Sequence, residues 1–240
     1  MAQNDPAWGK KASLSEGGLL VTKGFGLLDL NERARTLNTG MNGNPYLNPR
    51  KCAQMVSDFH QELGIKWSFG GYLEDRSILW RDSYLETTKK FLHLGIDVNL
   101  PAGTPVASAT PLEVIITDDD HDLDGGWGPR IIAIPEDDPS RLVIFAHLAD
   151  VSVAPGDQIP SGVPFAVVGA APLNGNWYPH YHIQQLNTEK IPGLIFDTTQ
   201  KRIVRGLDEI DGYGRQEDYH LLAQQYEDPI DFIPFDFYQF

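Results

Sequence analysis

From Phe91 onward the chain is a succession of short apolar runs: Leu92 to Leu100, Pro111 to Thr117, Arg130 to Pro135, Arg141 to Leu148, Pro164 to Gly169 and His180 to Leu186. Clusters of Gly, Pro and Asp separate them, and runs of this length with such punctuation predict an antiparallel β-sheet joined by hairpins. A helix start reads at Asn48-Pro49, a cap residue followed by proline at the first helical position. Met55, Val56, Phe59 and Leu63 then share one face, and Gly64 ends the helix. A second short helix is predicted near Glu217 to Tyr226. Residues 1 to 45 are rich in Gly, Asn and Ser without sustained periodicity and read as irregular. The tail, with Phe232, Phe235, Phe237 and Phe240 among Pro and Asp, is expected to lie extended over the body and bury its rings. The predicted fold class is mainly β with some α, in three parts. Residues 1–85 form an N-terminal extension with one helix packed on the core, residues 86–190 the antiparallel core, and residues 191–240 a C-terminal extension with a short helix and tail.

With 240 residues, of which 41% are apolar, the chain can bury a substantial core, and one domain is favoured over two. Its 33 acidic and 19 basic side chains give a formal charge of -14, which repels nucleic-acid phosphates and anionic membrane surfaces. Nucleic acid is excluded as a partner on that ground. Cys52 stands alone, so neither an internal disulfide nor a thiolate cluster for zinc can form, and its plainest reading is a small buried apolar residue. No stretch approaches the roughly 18 to 20 apolar residues of a membrane span, and the first residues lack a secretory apolar run. The expectation is a cytoplasmic protein unless a leader has been removed.

Within these apolar runs lies an ordered set of polar residues: His93-Leu94-Gly95-Ile96-Asp97, then His147-Leu148, then His180-Tyr181-His182. Zinc takes imidazole and carboxylate ligands in tetrahedral geometry, and a catalytic site keeps three of them so that water fills the fourth place. Two histidines and one carboxylate satisfy that count. In a straight strand His93 and Asp97 would share a face but stand roughly 13 Å apart. Gly95 between them would let the chain bend and bring both to one ion. His180 and His182 are two apart, so a strand points both to the same side, one to bind metal and its neighbour to face water or substrate. A single histidine in a strand is more often structural than a ligand, but the full ordered set is hard to obtain by chance.

Other signals rank lower. Asp120-x-Asp122-x-Asp124-Gly125 has the spacing of a calcium loop, but the twelfth position is Ile131 where a bidentate Glu belongs. A solvated acidic hairpin containing His121 is the preferred reading. His60, expected on the exposed or boundary side of the first helix, and His220 in the second are read as structural. Glu74, Asp75 and Arg76 either line a groove or form a surface ion pair. Tyr72, Tyr84, Tyr178 and Tyr181 could each supply an oxyanion donor, and nothing in the sequence chooses among them.

The stretches HLGIDVNLPAGTPVASA, RLVIFAHL, VAPGDQIPSGVPFAVVG and NWYPHYHIQ, spanning roughly Phe91 to Leu186, resemble the lysostaphin-like or LytM-type zinc endopeptidases. The resemblance implies a compact antiparallel sheet with a groove across the metal, zinc as cofactor, and cleavage of peptide cross-links in bacterial cell walls. It places zinc on His93, Asp97 and His182, and sets His147 and His180 beside the metal's water as the catalytic pair. Leu112 stands where many members have glycine, and Ile183-Gln184 follow the His-x-His pair; these departures are expected to touch packing and groove shape rather than the ligands. Two readings from other classes stand beside this one. A metal-containing module that grips peptide or glycan without cleaving it would keep the fold, and a cupin-type oxygenase or isomerase also uses His-x-His. In the latter the pair comes first with a carboxylate soon after, whereas here the pair comes last.

Overall fold

The computed structural model describes residues 21–22, 24–37, 44–120, 126–175 and 177–238. The N-terminal part gives β1 (Val21–Thr22), β2 (Phe25–Leu27), α1 (Leu30–Leu37), α2 (Pro49–Leu63) and β3 (Trp67–Phe69). The central part gives β4 (Leu92–His93), β5 (Ile96–Asn99), β6 (Pro105–Val106), β7 (Leu112–Asp120), β8 (Gly128–Pro135), β9 (Arg141–Ala146), β10 (Leu148–Ala149), β11 (Gln158–Ile159), β12 (Ala166–Val168) and β13 (His180–Asn187). β14 (Ile195–Asp197), β15 (Arg202–Arg205), β16 (Tyr213–Gly214), α3 (Tyr219–Gln225) and β17 (Tyr226–Glu227) follow. The chain is mostly β, and its main sheet has the order β1-β2-β3-β5-β13-β9-β8-β7-β11, with β17 also on β13. Every pairing in that sheet is antiparallel except β2 with β3.

Strands β9 and β13 are buried along almost their whole length, because alternate side chains feed two separate cores. On one face Val143, Phe145, Tyr181 and Ile183 pack with Val98, Ile131 and Phe165. On the other, Leu142, Ile144, Ala146 and Leu186 pack with Leu92, Leu94, Ile191, Leu194 and Ile210. Burying each such aliphatic or aromatic side chain stabilises the fold by about 1.5–3 kcal/mol relative to leaving it in water. Phe232 lies buried on the first face with Phe235 against it, as expected of those rings, and Tyr238 joins them; the tail is not extended throughout, since Pro229–Phe232 form a turn of 3-10 helix. Phe237 also departs from the expectation: the ring is 39% exposed, and Phe240 lies outside the described residues.

Helix α2 forms where its signals put it. Oδ1 of Asn48 accepts from the Arg50 and Lys51 N–H groups at 3.0 and 3.3 Å, and Pro49 occupies the first turn. Gly64, at φ 62° and ψ 30°, takes the left-handed conformation that costs glycine little and ends the helix. Cys52, Met55, Val56 and Phe59 face a third core shared with Leu28, Leu30, Ala34 and Trp177. The reading of residues 1–45 as irregular, with one helix in the extension, is corrected by α1. Asp29 Oδ1 accepts the Glu32 N–H at 2.7 Å and so caps it. His60 is also corrected: it is buried, with Nε2 at 2.8 Å from Ser68 Oγ, rather than on an exposed side.

Asn48→Ala is expected to destabilise the protein by about 1 kcal/mol through loss of the cap. Thermal unfolding should show a drop of about 2–4 °C; an unchanged midpoint would mean that the cap contributes nothing.

Candidate metal centre

The site begins with a break in a strand. β4 pairs with β16 (His93 opposite Tyr213), whereas β5 pairs with β13 and β3, so the chain changes partners at Leu94-Gly95. Gly95 is needed there for close approach: a Cβ would sit 2.3 Å from the Ile183 carbonyl oxygen and 2.6 Å from His182 Nε2. The β5–β13 register sets His182 opposite Asp97 and His180 opposite Asn99, so all four point to one face. His147 follows the last residue of β9 at φ 60°, a left-handed conformation that costs a histidine of order 1–3 kcal/mol and persists only where its surroundings enforce it. Its N–H donates to the Trp127 carbonyl and its own carbonyl accepts from Gly169, each at 2.9 Å.

Five predicted site residues meet in this region. His182 Nδ1 lies 2.9 Å from Asp97 Oδ1 and 3.1 Å from His93 Nε2, and His93 Nε2 lies 3.4 Å from Asp97 Oδ1. His180 Nε2 is 3.8 Å from the same carboxylate oxygen. The His147 ring centroid is 4.7 Å from that of His180 and 6.3 Å from that of His182. Trp127 and Tyr213 flank the trio, with ring centroids 5.5 Å from His182 and 5.4 Å from His93 respectively.

Hydrogen bonds to the outer ring nitrogens bias the imidazole tautomers. The Gln184 side-chain NH2 donates to the Asp211 carbonyl at 3.0 Å, which turns its Oε1 toward His182 Nε2 at 3.2 Å. That oxygen can accept from His182 Nε2, in the tautomer that turns the Nδ1 lone pair toward Asp97 and His93. By the same logic His180 Nδ1 donates to the Tyr178 carbonyl at 2.9 Å and His147 Nδ1 to the Leu173 carbonyl at 3.3 Å, leaving an Nε2 lone pair on each ring. Gln184, one of the residues expected to affect only packing and groove shape, therefore touches a proposed ligand directly. A metal-ligating histidine normally has such a partner on its other nitrogen.

With their lone pairs turned inward, His93 Nε2, His182 Nδ1 and Asp97 Oδ1 would repel one another unless a cation lay between them. Tetrahedral ligands at zinc distances of 2.0–2.1 Å stand about 3.3 Å apart, close to the spacings found here. These residues could hold a divalent ion, and His93, Asp97 and His182 form a metal-competent group among the described residues. Burial, then neighbouring charge, moves the titrations. His180 is lowered to about 4 by desolvation, and His147 falls well below 6.5 through desolvation and the adjacent His180 and His182. Burial alone would raise Asp97, but His93, Arg76 and His180 together hold it well below the ordinary carboxylate range.

Arg76 is a site residue that the sequence did not single out as a support. Its Nη1 donates to Asp97 Oδ2 at 2.7 Å and its Nε to Glu74 Oε2 at 2.8 Å, and its side chain is 1% exposed. Neither sequence reading of this pair survives, because the ions are buried beneath the site; Asp75 alone is exposed. The four candidate oxyanion tyrosines are engaged elsewhere. Tyr72 donates to the Tyr226 carbonyl, Tyr178 meets His60 at 3.5 Å, Tyr181 points into the opposite core, and Tyr84 is exposed. The tyrosine at the site is Tyr213, whose hydroxyl accepts from Arg76 Nη1 and Trp80 Nε1. No local motif marks it, since it arrives from the C-terminal extension. His220 lies exposed on α3, and Asp118 and Asp120 belong to β7, with Asp118 paired to Arg130 at 2.6 Å; His121 lies outside the described residues.

Residues 91–191 match Peptidase family M23. That match falls on the stretch whose motifs carried the resemblance found in the sequence. Among solved structures, the chain is similar to a mutant catalytic domain of the prophage-encoded M23 protein EnpA from Enterococcus faecalis, with 22% identity over 40% of this chain and 68% of that one, at a TM-score of 0.35. It is also similar to the catalytic domain of lysostaphin from Staphylococcus simulans, with 21% identity, 47% and 76% coverage and a TM-score of 0.37. A zinc-containing peptidase from Vibrio cholerae gives 20% identity, 52% and 32% coverage and 0.35. No curated protein matches the chain.

Gly95→Ala is expected to destabilise the fold by about 1–3 kcal/mol, because the added methyl meets backbone and an imidazole that cannot both retreat. Urea unfolding checks this, and an unchanged midpoint would mean that the Ile183 carbonyl has room to yield.

Proposed function

We propose that the chain is a zinc-dependent endopeptidase that hydrolyses peptide bonds, with the peptide cross-links of bacterial cell walls as its substrate class. The observation that carries this reading is the convergence of three candidate ligand atoms, His93 Nε2, His182 Nδ1 and Asp97 Oδ1, at 2.9 to 3.4 Å from one another. A divalent ion held by these residues supplies Lewis acidity, lowering the pKa of a water and polarising a carbonyl. The protein's own contribution is proton handling: His147 and His180 each hold an Nε2 lone pair, oriented by a backbone carbonyl bonded to Nδ1. One takes the proton of the attacking water and returns it to the leaving amine. Cell-wall peptide as substrate is supported by the match of residues 91–191 to Peptidase family M23.

One observation favours a second reading. His93, Asp97 and His182 are only 1%, 2% and 4% exposed, so a substrate carbonyl reaches them only if the surrounding aromatics part. A metal-containing module that binds without cleaving fits that closed arrangement.

Metal analysis of the purified chain, joined to a peptide-library screen that includes cross-linked wall peptides, separates the two. Wild type is expected to carry one zinc and cleave. His147→Ala should keep the zinc and lose about 10²- to 10⁴-fold in turnover, the usual contribution of a positioned acid–base group. Equal cleavage by both removes His147 from the chemistry, and no cleavage with zinc bound favours the binding module. Acidification supplies a further check. A histidine whose pKa is lowered stays in its basic form above the lowered value, so His180, at about 4, keeps its lone pair throughout the neutral range. The acid limb of kcat/KM should therefore lie below the ordinary imidazole value of about 6.5; undiminished turnover well below pH 4 would contradict the assignment.

A further inference from the structure

We propose that Arg76 is a positioning residue for the metal centre: it ties off Oδ2 of Asp97 so that the carboxylate offers Oδ1 alone, and it does so from outside the M23 segment. This rests on the reading of His93, Asp97 and His182 as ligands. The two carboxylate oxygens are divided cleanly. Oδ1 faces His182, His93 and His180 at 2.9, 3.4 and 3.8 Å, whereas Oδ2 receives the Arg76 Nη1 proton at 2.7 Å. A carboxylate so engaged binds through one oxygen, as a four-coordinate centre requires.

The guanidinium is itself held on several sides. Nε donates to Glu74 Oε2 at 2.8 Å, and Nη1 also reaches the Tyr213 hydroxyl at 3.1 Å. The Arg76 N–H donates to the Phe91 carbonyl at 2.9 Å, which ties the segment to the strand leading into the first motif. Gly70 makes the room, since a Cβ there would sit 2.9 Å from Nη2. Glu74 Oε1 in turn accepts the Leu30 N–H at 2.6 Å, so the first turn of α1 is bonded to the pair that steadies Asp97. Nη2 is buried without a hydrogen-bond partner. A guanidinium buried with one nitrogen unanswered carries a desolvation cost that its carboxylate partners must offset, so the buried pairing is by itself weak evidence that arginine is there for stability.

A lysine cannot replace this fork. Its single ammonium can reach Asp97 or Glu74 but does not span both in the planar arrangement that arginine makes. Partners that orient a metal ligand typically change metal affinity 10- to 100-fold when removed.

The test uses the full chain as wild type, Arg76→Met and Arg76→Lys. Zinc dissociation constants are measured by competition with a chromophoric chelator, and cobalt(II) is loaded as a spectroscopic stand-in. Arg76→Met is expected to weaken zinc binding about 10- to 100-fold. Its cobalt absorption should fall in intensity as Asp97 becomes free to bind through both oxygens. Arg76→Lys should lie between the two. If Arg76→Met folds, as judged by circular dichroism, and binds zinc within about twofold of wild type with the same cobalt spectrum, the proposal is overturned. If Arg76→Met does not fold, Arg76→Lys decides by the same criterion. Failure of wild type to bind zinc at all overturns the ligand assignment and this inference with it, whereas wild-type binding unaffected by either variant overturns this inference alone.

Discussion

The structure depends on one register. Antiparallel pairing of β5 with β13 sets Asp97 across from His182 and leaves His180 two residues away on the same face. Side chains alternate with a period of two along a strand, so a slip of one residue would send both histidines into the opposite core and bring Tyr181 and Ile183 to the site. That slip is opposed by packing on both faces. Tyr181 and Ile183 are already committed to Phe145 and Val98 on one side, as Leu186 is to Leu142 and Ile144 on the other. The apolar residues between the functional ones therefore hold the functional ones in place.

Much of this was legible in the sequence, for reasons that can be named. Asn48-Pro49 and Gly64 each act on their own backbone, so α2 needed nothing from the rest of the chain. The runs from Leu92 to Leu186 had the length and punctuation of strands, and the His-x-Gly-x-Asp and His-x-His spacings put their residues on a shared face. Helix α1 was missed because Gly, Asn and Ser dominate the stretch around it, although Asp29 followed three residues later by Glu32 is a recognisable start signal. His60 was misplaced because its burial comes from Ser68 and Tyr178, residues on other elements that no periodicity in α2 reveals. Gly95 was read as a hinge. It sits at the change of strand partner, but the demanding contact is with the His182 ring and the Ile183 carbonyl, far along the chain.

What lay beyond sequence reading was the set of supports around the candidate ligands. Arg76, Tyr213 and Gln184 reach the centre from three separated parts of the chain. Each acts by removing a freedom. Arg76 engages one carboxylate oxygen, Gln184 Oε1 meets the outer nitrogen of His182, and the Tyr213 hydroxyl accepts from Arg76 and Trp80. Such roles depend on distances of a few tenths of an ångström, which spacing along a chain does not encode.

Strand β13 is flanked by β9 on one side and by β5 and β17 on the other, so it has no free edge over most of its length. Releasing it would require several ladders to separate together, which ties the lifetime of His180 and His182 in their places to the slowest opening of the molecule rather than to local fraying. An ion enclosed there would exchange with solvent on the timescale of that opening, or through movement of the aromatic side chains above it, and its residence time would report which of the two is faster.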